Sequence, residues 1–131
     1  MMRDDLMVQQ QVENVWQHMV GVMCLNQTGR KQVKAVLPEF FKRWPTHDAL
    51  LYATRKQIEE VIAPLGMSKV RAERIYRMSE QFGDWDGEDA TELYGIGKYG
   101  SDSYELFYKK RVPENIGDHE LKRYVEEEFY A

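Results

Sequence analysis

Leu93-Tyr94-Gly95-Ile96-Gly97-Lys98 sets two glycines two residues apart between segments that read as short helices. Glycine tolerates the tight turn that such a junction needs and lets another backbone come close. The helix that follows offers unpaired N–H groups and the positive end of its dipole, which suits a phosphate, and Lys98 adds a charge. A plain turn between packed helices uses the same residues, so the motif alone does not separate the two uses. The hairpin is predicted over about residues 90–110, from a short helix at 90–94 to a longer one at 101–110, with Gly95, Gly97 and Gly100 between them.

Downstream, Val112-Pro113-Glu114-Asn115-Ile116-Gly117 reads as a loop and Asp118 as the start of a last helix carrying Leu121, Tyr124, Val125 and Phe129. Upstream, apolar residues recur at three- and four-residue steps across 8–25 (Val12, Val15, Trp16, Met19, Val20, Met23), which predicts one helix. Val22, Cys24 and Leu25 widen its apolar face enough for a central position. Gly29 is the expected break after it. A second helix is expected over 30–43, kinked or shortened by Pro38 and ended by Trp44-Pro45. Thr46 and Thr54 are natural caps for short helices at 47–53 and 55–63. Ser68 is expected to cap a further helix with Val70, Ile75, Met78 and Phe82 inward and Lys69, Arg71, Arg74 and Arg77 outward. No strand pattern persists, so the fold class is all-α, many short helices in one domain spanning residues 1–131.

The composition excludes several classes. No apolar run approaches ~18 residues, which rules out a membrane-spanning helix. The first five residues, Met1-Met2-Arg3-Asp4-Asp5, lack the apolar stretch of a secretory signal. A single cysteine, Cys24, excludes an internal disulfide framework and a four-cysteine zinc or iron–sulfur site, and an intracellular protein is expected. Cys24 itself lies on an apolar face and reads as core. The net charge of −4 conceals segregation: residues 30–77 hold eleven Lys or Arg against five Asp or Glu, while residues 78–131 hold six against fourteen. A basic middle keeps nucleic acid open as a partner, although on charge alone a solvated helix face is the simpler reading.

Four blocks together resemble one family: Leu25-Asn26-Gln27-Thr28; Pro64-Leu65-Gly66 with Arg71-Ala72; the run from Leu93 through Gly100-Ser101-Asp102-Ser103-Tyr104; and Asp118-His119-Glu120-Leu121-Lys122-Arg123-Tyr124. The chain resembles the helix-hairpin-helix (HhH-GPD) DNA glycosylase superfamily, most of all its mismatch-specific thymine/uracil glycosylase domains of the methyl-CpG-binding type. That resemblance implies a compact multi-helix glycosylase fold, double-stranded DNA bearing a lesion or mismatch as partner, a monomer, and no cofactor. It places Asp118 at the catalytic aspartate and Gly95–Gly97 at the phosphate-binding hairpin, whose carbonyls in the family often hold a monovalent cation. Tyr99 falls where bifunctional relatives carry a sugar-attacking lysine, which implies a monofunctional enzyme with Tyr99 facing the base. A pocket glutamine is implied at Gln9, or one residue on at Gln10 or Gln11. Gln27 and Met67 occupy the places of residues that fill the gap left by a flipped base, Gln27 where close relatives have arginine.

Lys98, Arg30, Lys31, Lys69, Arg71 and Arg74 are then candidate phosphate contacts, and His119 faces phosphate or solvent. The plain alternatives stand beside these roles: Asp118 as an N-cap, Tyr99 packed in the hairpin, Met67 filling a core gap, and His18 and His47 as ordinary helix residues. The implied activity is excision of uracil, thymine or a 5-substituted uracil, from G mismatches. The alternatives are a non-catalytic helix-hairpin-helix DNA-binding module, a glycosylase dedicated to a hypermodified pyrimidine, and a helical protein-interaction domain. So short a version of the domain implies low stability or slow turnover.

Overall fold

The computed structural model describes residues 6–129, so the five N-terminal residues read for a signal lie outside it. Seven α-helices are present among the described residues and no strand: α1 (Val15–Leu25), α2 (Arg30–Arg43), α3 (His47–Leu51), α4 (Arg55–Ile62), α5 (Ser68–Phe82), α6 (Lys98–Tyr104) and α7 (His119–Glu128). A 3₁₀ turn at Val8–Gln10 precedes them, and a π turn, Glu105–Lys109, continues α6. The caps explain several boundaries. Thr46 and Thr54 accept the N–H groups of Ala49 and Gln57, as their sequence positions predict, and Gln57 returns a bond to Thr54 to complete a capping box.

The expected helix over residues 8–25 is divided. Asn14 turns its side chain onto the Gln17 N–H at 2.8 Å and starts α1 there, because a short polar side chain competes with helical backbone for the same donor. Gly29 is not the break after α1; it caps α2 in an extended conformation, and the reversal is made by Gln27 at φ 61°. Likewise Ser68 is the first helical residue of α5, and the cap position belongs to Met67 in the left-handed region at φ 49°. Gly100 lies inside α6 rather than in the turn, and an added Cβ would sit 2.7 Å from Ile96 Cγ2 and 3.0 Å from Val22 Cγ1. This glycine lets α6 close onto α1. Pro38 is accommodated within a continuous α2, on an exposed position.

Every residue of α1 from Trp16 to Cys24 is buried, the environment of a helix wrapped by its neighbours. Trp16 sits against Phe40 and Phe41 of α2 and donates its indole N–H to Ser79 of α5 at 2.9 Å. Leu37, Leu50, Ile58, Ile62, Ile75 and Met78 complete this larger core. Val70 is the exception to the expected inward face of α5, being 44% exposed. A second, smaller core joins Met7, Leu106, Leu121 and Val125. Tyr99 packs against both cores. The seam between them is where the candidate site opens.

Candidate active site

A cavity of about 630 Å³ lies at this seam. Its wall brings together Gln9, Gln27, Arg30, Gly95, Gly97, Lys98, Tyr99 and Asp118, residues that span 110 positions of sequence. The 3₁₀ turn supplies Gln9, the loop after α1 supplies Gln27, the hairpin and start of α6 supply Gly95 to Tyr99, and the start of α7 supplies Asp118.

Asp118 holds both of the positions open to it. Its Oδ2 accepts the Leu121 N–H at 3.0 Å as the N-cap of α7, while the residue lines the cavity. The cap engages one carboxylate oxygen and leaves Oδ1. Tyr99 is partly buried on the same wall, and burial above all, opposed by its bond from Gln9 and aided by the Asp118 and Glu120 charges, pushes its hydroxyl up to about 12. It therefore carries its proton throughout the neutral range. Of the three glutamines, Gln9 lines the cavity and donates to Tyr99 Oη at 2.7 Å, Gln10 accepts the Met7 N–H, and Gln11 donates to Leu6 O at 3.4 Å.

The basic residues are distributed differently from expectation. Arg71 does not face outward; it is 7% exposed, because its guanidinium serves four protein oxygens. Nε donates to Gly66 O at 2.9 Å, Nη1 to Cys24 O at 3.0 Å, and Nη2 to Asn26 O at 2.9 Å and Thr28 Oγ1 at 2.5 Å. It thus ties the loop after α1 to the loop before α5 rather than offering a charge to DNA. Lys98 is folded onto Asp102 at 2.6 Å, one helical turn on, so it is not the free charge the motif suggests. Arg30 pairs with Glu120 at 3.1 Å at the cavity rim. Lys31, Lys69 and Arg74 are exposed and make no ion pair among the described residues.

Gln27 and Met67 are both exposed, both at positive φ, and both line a second cavity of about 170 Å³ beside the first, with Arg71 and Gly95. Met67 does not fill a core gap. Left-handed backbone at a non-glycine residue costs of order 1–3 kcal/mol and concentrates at functional positions. Of the carbonyls named for a monovalent cation, Gly97 O accepts the Ser101 N–H at 2.9 Å in the first turn of α6.

Three residues that matter to this wall escaped the sequence reading. His18, on α1, is fully buried and lies 2.8 Å from Ser103 Oγ, which accepts from Gln9 at 3.1 Å. Asp102 is the buried partner of Lys98. The four-residue spacing of Tyr99 to Ser103 and Lys98 to Asp102 on one helix was the available signal; nothing local marked His18. Burial lowers the His18 imidazole to about 3, so it is neutral in the fold. A lowered folded value means that the unfolded chain binds this proton first as pH falls. The resulting stability is present above about 6.5 and is lost between about 6.5 and 3, with a slope approaching about 1.4 kcal/mol per pH unit. Melting curves of the wild type and His18→Leu should therefore converge or cross as the pH is lowered through this window. A difference independent of pH would exclude a neutral buried His18.

Cys24 is core as expected, wholly buried with its thiol pushed up to about 12 by desolvation. His47 begins α3 and His119 is exposed at the first position of α7. No helix among the described residues is long and apolar enough to cross a membrane.

The fold has solved counterparts. The structure of a thermostable thymine-DNA glycosylase superposes with a TM-score of 0.74 at 18% identity, covering 83% of this chain and 52% of that one. In sequence, the chain is 31% identical over 121 residues to a thymine/uracil-DNA glycosylase of Pyrobaculum aerophilum, covering 87% of this chain and 52% of that protein. It is 32% identical over 112 residues to a methyl-CpG-binding domain protein 4-like protein of Arabidopsis thaliana, covering 83% of this chain and 25% of the relative. The chain thus spans about half or less of the length of these relatives. Residues 20–127, from within α1 to nearly the end of α7, match the HhH-GPD superfamily of base excision DNA repair proteins. With the helical order, the glycine hairpin and the capped aspartate all in place, the chain belongs to the HhH-GPD superfamily.

Proposed function

We propose that this protein is a monofunctional DNA glycosylase that removes uracil, thymine or a 5-substituted uracil from duplex DNA, with G mismatches as its targets. The observation that carries the reading is the single cavity that unites Asp118, Tyr99 and Gln9 beside the glycine hairpin. The thymine/uracil-DNA glycosylase relative of Pyrobaculum aerophilum supports a pyrimidine as the base.

The chemistry follows from these groups. Breaking the bond between C1′ and the base sends its electron pair to the base and leaves positive charge on the sugar. The Asp118 carboxylate stabilises that charge and orients a water, whose oxygen bonds to C1′ while its proton passes to the carboxylate. Tyr99, protonated, donates to a carbonyl oxygen of the departing pyrimidine and spreads the negative charge it acquires. Position 99 has no amine, so a covalent imine with the sugar does not form there, and the product is an abasic site. Asp118 reaches C1′ only after the nucleotide leaves the stack. In this reading Gln27 and Met67 fill the gap and Lys31, Lys69 and Arg74 meet phosphates, which their exposure and the tie between the two loops through Arg71 support.

End-labelled duplexes carrying G·T, G·U, A·U and G·hydroxymethyluracil, each divided with and without hot alkali, test the reading. Breaks that require alkali are expected, and the duplex cut fastest identifies the substrate. Breaks without alkali would overturn the monofunctional assignment. Intact duplexes with salt-sensitive binding would instead identify a non-catalytic helix-hairpin-helix module.

A further inference from the structure

Behind the cavity wall runs a buried hydrogen-bond chain. Gln9 Nε2 donates to Tyr99 Oη at 2.7 Å and to Ser103 Oγ at 3.1 Å, and Ser103 Oγ meets His18 Nε2 at 2.8 Å. Gln9 is 4% exposed, and Ser103 and His18 are 0% exposed. Among the described residues, the buried side-chain polar atoms without a partner are Gln9 Oε1 and His18 Nδ1, and both belong to this chain. Buried polar atoms without a partner are costly, so their concentration at one place calls for a reason.

Counting donors supplies one. Turned over, the Gln9 carboxamide would strand two N–H donors where it now strands one acceptor. As placed, Gln9 donates and the Tyr99 oxygen accepts, which leaves the Tyr99 hydrogen for whatever occupies the cavity. Ser103 accepts from Gln9, and in the neutral His18 tautomer whose Nε2 carries no hydrogen the Ser103 hydroxyl donates to that nitrogen and has no hydrogen left for the carboxamide. The imidazole serves as acceptor only when neutral, and its burial among the Phe107 and Tyr108 rings holds it neutral.

We propose that His18 and Ser103 are positioning residues that hold the Gln9 carboxamide in one orientation and so make Tyr99 a hydrogen-bond donor to a carbonyl oxygen of the flipped pyrimidine. The inference rests on the glycosylase reading and extends it to the residues that decide which edge of a base is accepted. Neither His18 nor Ser103 faces the cavity; both act through Gln9.

The test is single-turnover excision from the fastest duplex by His18→Leu, Ser103→Ala, their double variant and His18→Gln, whose amide reaches the place of Nε2. Affinity for a duplex carrying 2′-fluorouridine, which resists cleavage, is measured alongside. His18→Leu and Ser103→Ala are each expected to slow excision about tenfold or more with binding unchanged. The double variant should be no slower than the slower single, and His18→Gln should recover to within about threefold of the wild type. If His18→Leu proves unfolded by circular dichroism, Ser103→Ala and His18→Gln carry the comparison. Wild-type rates in folded His18→Leu and Ser103→Ala, or no recovery in folded His18→Gln, would overturn the proposal alone. A wild type inactive on every duplex would defeat the glycosylase reading and this inference with it.

Discussion

Asp118→Asn is expected to fold and melt like the wild type while losing excision by about 10³-fold. The two effects separate because of the geometry at the start of α7. The cap needs only an oxygen acceptor for the Leu121 N–H, now met at 3.0 Å, and asparagine caps as well as aspartate. Stability should therefore change by less than about 0.5 kcal/mol. The proposed mechanism needs the charge, which asparagine lacks. Asp118→Ala removes both functions and should add a loss of about 1 kcal/mol. Glu120 is the other carboxylate on the cavity wall, but its Oε2 already accepts from Arg30 at 3.1 Å and Arg123 at 2.8 Å. Glu120→Gln should consequently slow excision far less. Single-turnover rates and thermal melts of the three variants decide the matter: an Asp118→Asn protein that still excises at the wild-type rate would leave Asp118 a cap and nothing more.

The largest loss of stability is expected from Arg71→Met. Methionine replaces most of the stem volume but none of the donors, so the carbonyls of Gly66, Cys24 and Asn26 and the hydroxyl of Thr28 lose the guanidinium that they share. Each buried acceptor left without its donor costs about 1–3 kcal/mol, and several are stranded together here. For a chain of this length that corresponds to a Tm lower by roughly 10 °C or more. Arg71→Lys should recover only part of it, because an ammonium cannot fork towards acceptors on two loops at once. The same bonds hold Gln27 and Met67 in left-handed conformations on neighbouring loops. Affinity for mismatched duplex should therefore fall with either substitution, even at temperatures where both proteins are folded. A Tm within about 2 °C of the wild type for Arg71→Met would show that the clamp contributes little.

Helix type, most helix boundaries and the glycine hairpin were legible in the sequence, because they follow from local periodicity and from caps such as Thr46 and Thr54. The resemblance of four short blocks was enough to name Asp118, Tyr99 and Gln9, and all three line one cavity. What it left undecided concerns direction and partnership. Arg71 has the spacing of a solvent-facing residue on α5, yet two loops distant in sequence converge on it and draw it inward. Gly100 looks like a turn residue until α1 is found pressed against it. His18 carries no local signal at all, since its meaning depends on Ser103, 85 positions away. Periodicity and capping are properties of neighbouring residues and can be read along the chain. A buried polar group is defined by which distant partner meets it, and only the packing of α1 against α6 decides that.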